Sequence, residues 1–276
     1  MTRNIDPGVD DAGRRAVEEL MSDATVASVQ YLASTDSTNT LALSEIRQGG
    51  SPASELAELP RLYLTDRQTA GRGRHGRTWV SDQSTLTFTL VIDPSPGLDT
   101  EKVAKVLSVA VGVGVARAIE FVLAPLQTQL KWPTDVYAGG GKVAGILLET
   151  SPSAAKLVVV GVGVNISAAP DLSAEANPNP VCSLTQASGR LMARYDLLPT
   201  MVREILAAVS SSSQEVIDEF RRRCLLSGQT IQYQLGEATS EAKCLGISDA
   251  GELIVESDQG QRVLRSGEAS LVRRAL

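Results

Sequence analysis

The stretch Gly71-Arg72-Gly73-Arg74-His75-Gly76-Arg77-Thr78-Trp79 places three glycines and three arginines in seven positions, and it ends on one of the two tryptophans of the chain. Glycine permits tight turns and close approach of a ligand, and the guanidinium fork suits phosphate and carboxylate oxygens. Strands are predicted on both sides, at Leu62 to Thr65 and at Thr85 to Ile92. We therefore predict a loop that wraps an anionic small molecule, although a solvated hairpin would explain the same residues.

Composition limits the class of protein. The chain has 276 residues, of which 43% are hydrophobic, enough for a large domain and a small one. Its net charge of −6 and pI near 5.0 argue against general binding of nucleic acid, which needs surplus lysine and arginine, so no DNA partner is expected. The widely separated Cys182, Cys224 and Cys244 predict neither a disulfide framework nor a zinc site. The only histidine, His75, lies between arginines, and no GxSxG motif accompanies it, so a Ser-His-Asp relay is not expected.

Targeting signals are not apparent in the sequence. The polar, acidic start from Met1 to Asp11 lacks the apolar core of a secretory signal. Apolar runs such as Leu157 to Val164 are short and are predicted not to cross a bilayer. We therefore expect a soluble, cytoplasmic protein with no membrane partner.

The chain is predicted to have three parts: an N-terminal extension at 1–27, a catalytic α/β domain at 28–226 and a small antiparallel barrel at 227–276. Turn signals recurring at 235–237, 249–251 and 258–260 indicate the barrel. Further strands are predicted at 28–32, 143–149 and 157–165. Helices are predicted at 12–21, 100–121, 184–195 and 199–224, and another helix is predicted to follow the capping cluster 34–39 and to end at 49–50. Loops are predicted at 51–60, 94–98 and 171–180.

The segment Lys131-Trp132-Pro133-Thr134-Asp135-Val136-Tyr137 combines a cation, a large aromatic ring, a proline and a carboxylate. Because proline forces the preceding residue toward extended geometry, Lys131 and Trp132 are predicted to end a strand at a cleft. Asp135 could there hold a metal-bound phosphate or a ribose hydroxyl. An exposed hairpin with an ordinary aspartate is the alternative.

Two glycine-rich segments follow. In Gly139 to Glu149, Lys142 stands at the mouth of a strand, where it can neutralise charge on a transferred phosphoryl or carboxyl oxygen, and it is the leading catalytic candidate. The segment is not a phosphate-binding Walker loop, and a solvated lysine remains an alternative. In Val160 to Ile166, glycine alternates with valine, which suits a buried strand beside a flat ligand that Asn165 could bond, or simply tight packing against a helix.

Five segments in this order resemble the biotin protein ligases: Asp36-Ser37-Thr38-Asn39, Gln68 with Gly71 to Trp79, Lys131 to Asp135, Gly141 to Gly145, and Gly161 to Asn165. The resemblance runs from about Ser28 to the C-terminus. It implies an α/β (α+β) fold, namely a catalytic domain like that of class II aminoacyl-tRNA synthetases and lipoate ligases, with a mixed sheet and flanking helices, plus a small C-terminal SH3-like β-barrel. It implies that biotin and MgATP give biotinyl-5′-AMP, from which biotin passes to a lysine of a biotin carboxyl carrier protein.

The resemblance also assigns residues. Lys142 and Arg74 would be catalytic. Biotin contacts would be Ser37, Thr38, Asn39, Gln68, Gly71, Arg72, Gly73, Arg74, Lys142, Gly145 and Leu147. Contacts to ATP or the adenylate would be Arg74, Arg77, Trp79, Lys131, Asp135, Lys142 and Asn165. No protein ligand to the magnesium ion is assigned.

Two departures and three alternatives accompany the resemblance. Thr134 stands where the family commonly has asparagine, and the terminal Gly267-Glu268-Ala269-Ser270-Leu271 is followed by valine, which delays arginine to Arg273. The alternatives are a lipoate or octanoate ligase or transferase, a biotin-responsive transcriptional regulator, and an adenylate sensor without turnover. Too few residues precede Ser28 for a winged helix, so a monofunctional enzyme is expected. An exposed sheet edge could serve a homodimer or the acceptor protein.

Overall fold

A mixed sheet and a smaller antiparallel sheet organise the chain. The structure is a computed structural model that describes residues 3–48, 58–94, 100–152, 154–170, 180–235, 238–265 and 267–272. The strands are β1 (Arg3–Ile5), β2 (Ser28–Leu32), β3 (Arg61–Thr65), β4 (Thr85–Ile92), β5 (Gln129–Lys131), β6 (Asp135–Ala138), β7 (Gly141–Ser151), β8 (Ala154–Asn165), β9 (Thr230–Leu235), β10 (Ala238–Ile247), β11 (Leu253–Ser257), β12 (Gly260–Leu264) and β13 (Glu268–Leu271). The helices are α1 (Asp11–Ser22), α2 (Thr38–Gln48), α3 (Thr100–Leu123), α4 (Leu184–Ser188), α5 (Leu198–Ser210) and α6 (Ser213–Arg223).

The larger sheet has eight strands in the order β1-β2-β3-β4-β8-β7-β6-β5. Its first three strands are parallel, and the remaining neighbours are antiparallel. Every residue of β4 is buried, as expected for a central strand that is covered on both faces. The mixed sheet with flanking helices that the resemblance implied is confirmed.

The central strands divide their side chains between two faces. On β8, Val158, Val160, Val162 and Val164 belong to the main core, whereas Val159 packs with α2 on the other face. Because successive residues of a strand point to opposite faces, the following odd positions must also lie on the α2 face. Those positions carry Gly161, Gly163 and Asn165 on β8, Thr85, Thr87 and Thr89 on β4, and Gly145, Leu147 and Glu149 on β7. The α2 face therefore changes from apolar to polar and small along these strands.

Helix α3 covers the opposite face of the sheet. Its segment Val106–Leu123 is long and apolar enough to span a membrane, so the expectation that apolar runs are too short is wrong for this helix. However, 67% of the segment is buried inside the fold, where α3 packs against α5, α6 and the sheet. Burial of this kind is typical of a central core helix.

The C-terminal strands form an antiparallel sheet in the order β12-β11-β10-β9-β13. Trp132 Nε1 donates to the carbonyl of Gly251 at 2.9 Å, and the Arg221 guanidinium donates to the carbonyl of Ile247 at 2.9 and 3.1 Å. These bonds join the small sheet to the segment after β5 and to α6. Pairing of β12 with β13 is not among the strand pairs of the described residues, so closure into an SH3-like barrel stays a prediction.

Several predicted elements need correction. The predicted helix at 184–195 ends at Ser188, because Gly189 adopts a left-handed φ of 68°, and a short 3-10 turn follows at Arg194–Leu197. The helical stretch at 199–224 is two helices, and Ser212 caps the second one through Glu215. Strand β1 lies in the N-terminal extension, before the predicted helix at 12–21, where no strand was predicted. Most of the predicted loops at 51–60, 94–98 and 171–180, and the helix end at Gly49-Gly50, lie outside the described residues.

Close packing of α3 against α5 leads to a prediction about Gly114. A Cβ atom there would lie 2.6 Å from Ile205 Cα and 2.7 Å from the carbonyl oxygen of Glu204. The Gly114→Ala variant must separate the helices, and we expect it to lower the free energy of unfolding by about 1–3 kcal/mol in urea titrations.

The matched control is Gly112→Ala on the same helix, where the new Cβ would meet Leu130 at 3.7 Å, an ordinary contact. Helix propensity should make this change neutral or stabilising by up to about 1 kcal/mol. Equal midpoints and slopes for Gly114→Ala and the wild type would contradict the close packing.

Candidate functional site

A cavity of about 360 Å³ lies over the polar part of the α2 face. The start of α2, the arginine loop 71–79, β5 to β8 and β13 surround it. Of the predicted site residues, those that line it are Ser37, Thr38, Asn39, Gln68, Arg72, Gly73, Arg74, Arg77, Trp79, Lys131, Asp135, Lys142, Gly145, Leu147 and Asn165. Residues from five segments of the sequence thus share one cavity.

Gly71 is the predicted contact that does not line this cavity. It is buried behind the loop, and a Cβ atom there would lie 2.3 Å from the carbonyl oxygen of Trp79 and 2.8 Å from Gln68 Nε2. Its backbone oxygen accepts the N–H of Trp79 at 2.9 Å. The lack of a side chain at Gly71 lets the two ends of the loop meet, and a contact between Gly71 and a ligand stays a prediction.

The cavity is strongly cationic in an acidic chain. Its lining includes the cations Arg72, Arg74, Arg77, Lys131 and Lys142. Asp135 is the one carboxylate among the described lining residues. Fixed cations around a partly water-excluded space favour anionic ligands more strongly than the same charges do in bulk water. The local charge therefore opposes the net charge of −6.

A row of residues crosses the sheet floor and explains the open volume. Strand register places Thr87 beside Gly163, Gly163 beside Gly145, and Gly145 beside Asp135, which pairs with Lys131. Neighbours in such a row are only about 5 Å apart, so large side chains would fill the space above them. The two central glycines leave room in the middle of the row, and the charged residues Asp135 and Lys131 lie at its end.

Trp79 occupies part of this room. A Cβ atom on Gly163 would lie 2.3 Å from the indole, and one on Gly145 would lie 3.4 Å from it. At Gly161, a Cβ atom would lie 2.3 Å from Asn39 Oδ1. The glycines of β8 thus receive Trp79 and Asn39, which corrects the idea that a flat ligand lies directly on that strand. Trp79 Nε1 is buried without a hydrogen-bond partner among the described residues, so it is available to an acceptor.

A polar clasp closes one end of the cavity. Gln68 Oε1 accepts from the backbone N–H of Thr38 at 2.8 Å and from its hydroxyl at 3.2 Å. The Thr89 hydroxyl lies 2.7 Å from both Thr38 Oγ1 and Asn39 Oδ1. These side chains are buried, so their bonds are shielded from water and fix their orientations.

Glu149 is a residue that the sequence analysis did not single out. It accepts from Asn39 Nδ2 at 2.9 Å through Oε2 and forms a salt bridge with Arg72 through Oε1. Arg72 also donates to Thr40 Oγ1 at 3.1 Å. Glu149 therefore ties the arginine loop to the start of α2. Its place two residues after Leu147, on the same face of β7, was the available signal.

The arginine loop is a folded hairpin in this structure. Gly73 N–H donates to the carbonyl of Arg77 at 2.7 Å, and His75 adopts a left-handed φ of 53° at the tip. Arg74 Nη2 donates to the carbonyl of Gly267 at 3.3 Å, which reaches the C-terminal sheet. Ala269 and Ser270 of β13 line the cavity, whereas Arg273 lies outside the described residues.

Lys142 and Asp135 form an ion pair in the cavity, with Nζ 2.7 Å from Oδ1. The backbone of Lys142 is held by its N–H, which donates to the carbonyl of Pro180 at 2.8 Å. Asn165 Nδ2 donates to the carbonyls of Cys182 at 3.1 Å and Lys142 at 3.4 Å. Asn165 thus joins the strand that bears Lys142 to segment 180–182, and Lys142 projects over Gly145.

The cavity offers few protein ligands for a metal ion. Among the described residues, no three His, Cys, Asp or Glu side chains converge in a way that could hold an ion. Within the described part of the chain, Asp135 is the carboxylate that the cavity lining offers. Magnesium commonly keeps several waters and binds through one or two carboxylates plus substrate phosphates. The residues present therefore fit a magnesium ion that arrives with a nucleotide.

Comparison with known proteins defines the class. Residues 31–165 match the Biotin/lipoate A/B protein ligase family, and residues 226–272 match the Biotin protein ligase C terminal domain. A biotin--[acetyl-CoA-carboxylase] ligase of Paracoccus denitrificans is 33% identical over 86% of this chain and 98% of that protein. One from Mycobacterium tuberculosis is 31% identical over 77% of this chain and 79% of that protein. The biotin protein ligase of Aquifex aeolicus, solved with biotin and ATP, has a TM-score of 0.71 and 26% identity over 89% of this chain and 99% of that one. The chain belongs to the biotin protein ligase family.

The seat of Trp79 on Gly163 can be tested by fluorescence. Gly163→Ala places a methyl group where the indole now lies, so Trp79 must move toward solvent. Because the chain has two tryptophans, emission in a Trp132→Phe background reports Trp79. We expect a red shift and stronger quenching by acrylamide in Gly163→Ala.

Gly112→Ala in the same background is the control, since it adds the same methyl group in ordinary contact with Leu130 and Ile146. Identical spectra for Gly163→Ala and its parent would show that the indole does not lie on this glycine.

Proposed function

We propose that this chain activates biotin with MgATP to form biotinyl-5′-AMP and pyrophosphate, and then transfers biotin to one lysine of a biotin carboxyl carrier protein. The observation that carries the proposal is the single cavity in which five cations face a polar clasp. Family membership supports it, as do the names of the Paracoccus and Mycobacterium relatives and the biotin and ATP bound to the Aquifex structure.

The first half-reaction joins two anions. A biotin carboxylate oxygen attacks the α-phosphorus of ATP, and the bond from that phosphorus to the bridging oxygen breaks, so that pyrophosphate leaves with the electron pair. The reactants repel each other, and negative charge spreads over the phosphoryl oxygens during transfer. Lys142 and Arg74, which line the same cavity, would screen the repulsion and stabilise that charge.

The second half-reaction consumes the mixed anhydride. The amine of the acceptor lysine attacks the acyl carbon, loses a proton and forms an amide, while AMP leaves as a phosphate anion. The cations that stabilise the first transition state would also stabilise this leaving group. A loop over the cavity would keep water from hydrolysing the anhydride in the interval.

The geometry supports the ligand contacts that the family resemblance implies. Buried Ser37, with Thr38, Asn39 and Gln68 of the polar clasp, would suit the polar ring of biotin, with Arg72, Gly73, Gly145 and Leu147 along its tail. Arg74, Arg77, Trp79, Lys131, Asp135, Lys142 and Asn165 would surround ATP or the adenylate. Trp79 offers both a ring face and an unpartnered N–H. Magnesium would be held by the phosphates, with Asp135 as the protein carboxylate.

The overall activity has a direct test. The purified chain is incubated with biotin, MgATP and a biotin carboxyl carrier domain, and the carrier is weighed by mass spectrometry. Addition of one biotin is expected. Exchange of label between pyrophosphate and ATP, run with biotin and then with lipoate, should require biotin; exchange driven by lipoate instead would contradict the proposal. Cytoplasmic location, a homodimer and the absence of a DNA partner stay predictions.

Removal of Lys142 should stop the first half-reaction. Lys142→Ala deletes a cation and leaves Asp135 unpaired beside the phosphates, which adds repulsion. We expect biotin-dependent pyrophosphate exchange to fall by about 100-fold or more. Lys156→Ala, which removes an exposed lysine from β8, is the control and should keep its rate. A near-normal rate for Lys142→Ala would remove Lys142 from the catalytic assignment.

Removal of Arg74 should loosen the loop over the adenylate. Arg74→Ala deletes the bond to the Gly267 carbonyl as well as a cation, so the loop should retain the intermediate less well. We expect free biotinyl-5′-AMP to accumulate in solution and to label nonspecific lysines on bystander proteins, measured by chromatography and streptavidin blotting. Arg222→Ala changes an exposed arginine on α6 and should retain the adenylate as the wild type does. Equal retention by Arg74→Ala would count against a closing role.

A further inference from the structure

A second buried polar cluster lies outside the cavity, where β3 ends. The carboxylate of Asp66 accepts at Oδ1 from the hydroxyl of Tyr31 at 2.6 Å, from the hydroxyl of Tyr195, and from Arg194 Nη2 at 3.0 Å. Its Oδ2 accepts from the backbone N–H of Asp10 at 3.0 Å. Arg194 Nη1 also donates to the carbonyl of Asp66 at 2.9 Å. We name Asp66, Tyr31, Tyr195 and Arg194 the Asp66 cluster.

The cluster is well satisfied and largely shielded from water, since the side chains of Arg194 and Asp66 are 10% and 17% exposed. Tyr31 and Tyr195 are 0% and 3% exposed, and their rings meet edge to face at 6.1 Å. The Arg194 guanidinium lies 4.5 Å from the Tyr195 ring centre. Burial raises the pKa of both phenols, and the hydrogen bond to Asp66 raises it further, so both phenols keep their protons and donate. A largely shielded carboxylate with this many donors has one favoured position.

Three separate parts of the chain converge on Asp66. Asp10 is the N-cap of α1 in the N-terminal extension, Tyr31 belongs to β2, and Arg194 and Tyr195 precede α5. A Cβ atom on Gly13 of α1 would lie 2.1 Å from the Tyr31 hydroxyl. Helix α1 can therefore come this close to Tyr31 only because residue 13 is a glycine. The N-terminal extension is therefore docked against the end of β3.

Asp66 begins a segment that leads into the polar clasp. Residues 66–70 run beside residues 32–36, held by backbone bonds from Asp66 N–H to Leu32 O at 3.2 Å, Thr35 N–H to Arg67 O at 3.1 Å, Thr69 N–H to Thr35 O at 2.9 Å and Ala70 N–H to Asp36 O at 2.9 Å. One residue separates Asp66 from Gln68, whose Oε1 binds Thr38. Displacement of Asp66 must therefore shift Gln68 relative to α2.

We propose that the Asp66 cluster positions the biotin end of the cavity, by holding segment 66–70 so that Gln68 stays aligned with Thr38. The proposal rests on the function proposed above and assigns these residues no contact with a substrate. It gives the N-terminal extension a role in substrate affinity, because that extension supplies the Asp10 donor.

Weakening the cluster has a specific kinetic signature. A looser segment 66–70 populates arrangements in which the clasp cannot accept biotin. The apparent affinity for biotin then falls in proportion to the fraction of molecules whose clasp can still bind it. Saturating biotin selects the competent arrangement, so kcat should be largely retained. Lys142 and Asp135 lie on other strands, so the KM for ATP should not change.

Two variants and a matched control test this. Tyr195→Phe removes one donor, and Asp66→Asn removes the charge that four groups share. Tyr63→Phe is the control, because its hydroxyl also donates to a carboxylate, Glu45 at 2.8 Å, from the same strand β3 but away from the Asp66 cluster. Calorimetry with biotin alone gives the dissociation constant and the stoichiometry, and pyrophosphate exchange gives kcat and both KM values.

We expect biotin Kd and KM to rise about threefold to tenfold in Tyr195→Phe and more in Asp66→Asn, with stoichiometry near one and an unchanged KM for ATP. Tyr63→Phe should bind biotin as the wild type does. A lower stoichiometry or kcat at unchanged biotin Kd would show that the cluster only stabilises the fold, and would overturn the proposal. If Asp66→Asn does not fold, Tyr195→Phe decides by the same criteria. If the wild type shows no biotin-dependent exchange between pyrophosphate and ATP, the proposed function itself is contradicted.

Discussion

The site depends on two adjacent glycines in the middle of a sheet. Gly163 and Gly145 pair across β8 and β7, and the register continues to Thr87 on one side and Asp135 on the other. A central row normally carries packed side chains, since backbone buried on both faces is stabilised by apolar contact. Here the lack of side chains leaves room that Trp79 and Lys142 enter from above, so an indole and an ammonium group both lie over bare backbone.

Positive charge is concentrated in the cavity of a chain whose net charge is negative. The chain carries a net charge of −6, yet the described lining of its cavity gathers five cations around one carboxylate. Such a cluster repels itself unless fixed partners hold it. Glu149 holds Arg72 at the rim, Asp135 holds Lys142 on the floor, and a backbone carbonyl of the C-terminal sheet holds Arg74. An anionic substrate that enters the cavity would take the place of some of these partners of the cations. The cavity can therefore hold its positive charge both with and without the negative charge of a substrate.

Much of the fold followed from the sequence because periodicity and turn residues act locally. The predicted helices α1, α2 and α3 and the predicted strands β2, β3, β4, β7 and β8 are all present. The errors arose where local signals were weak or nonlocal contacts decided. Apolar spacing continues past Ser188, but Gly189 turns left-handed there, and β1 has only three residues, too few for a pattern. The helix α3 was predicted at nearly its full length, but its segment Val106–Leu123 was not recognised as long and apolar enough to span a membrane.

The sequence alone determined which residues are small, cationic or aromatic, and the order of its five motifs was sufficient to indicate the family. Only the tertiary structure decided how those residues face one another. It let the ends of the arginine loop meet at Gly71 and brought Glu149 to Arg72 and Asn39. It also brought Asp10 of the N-terminal extension to Asp66, together with Arg194 and Tyr195 from more than 120 positions away. The physical reason is that composition and spacing specify local conformation, whereas strand register and burial, which depend on the whole chain, select the partner of each polar group.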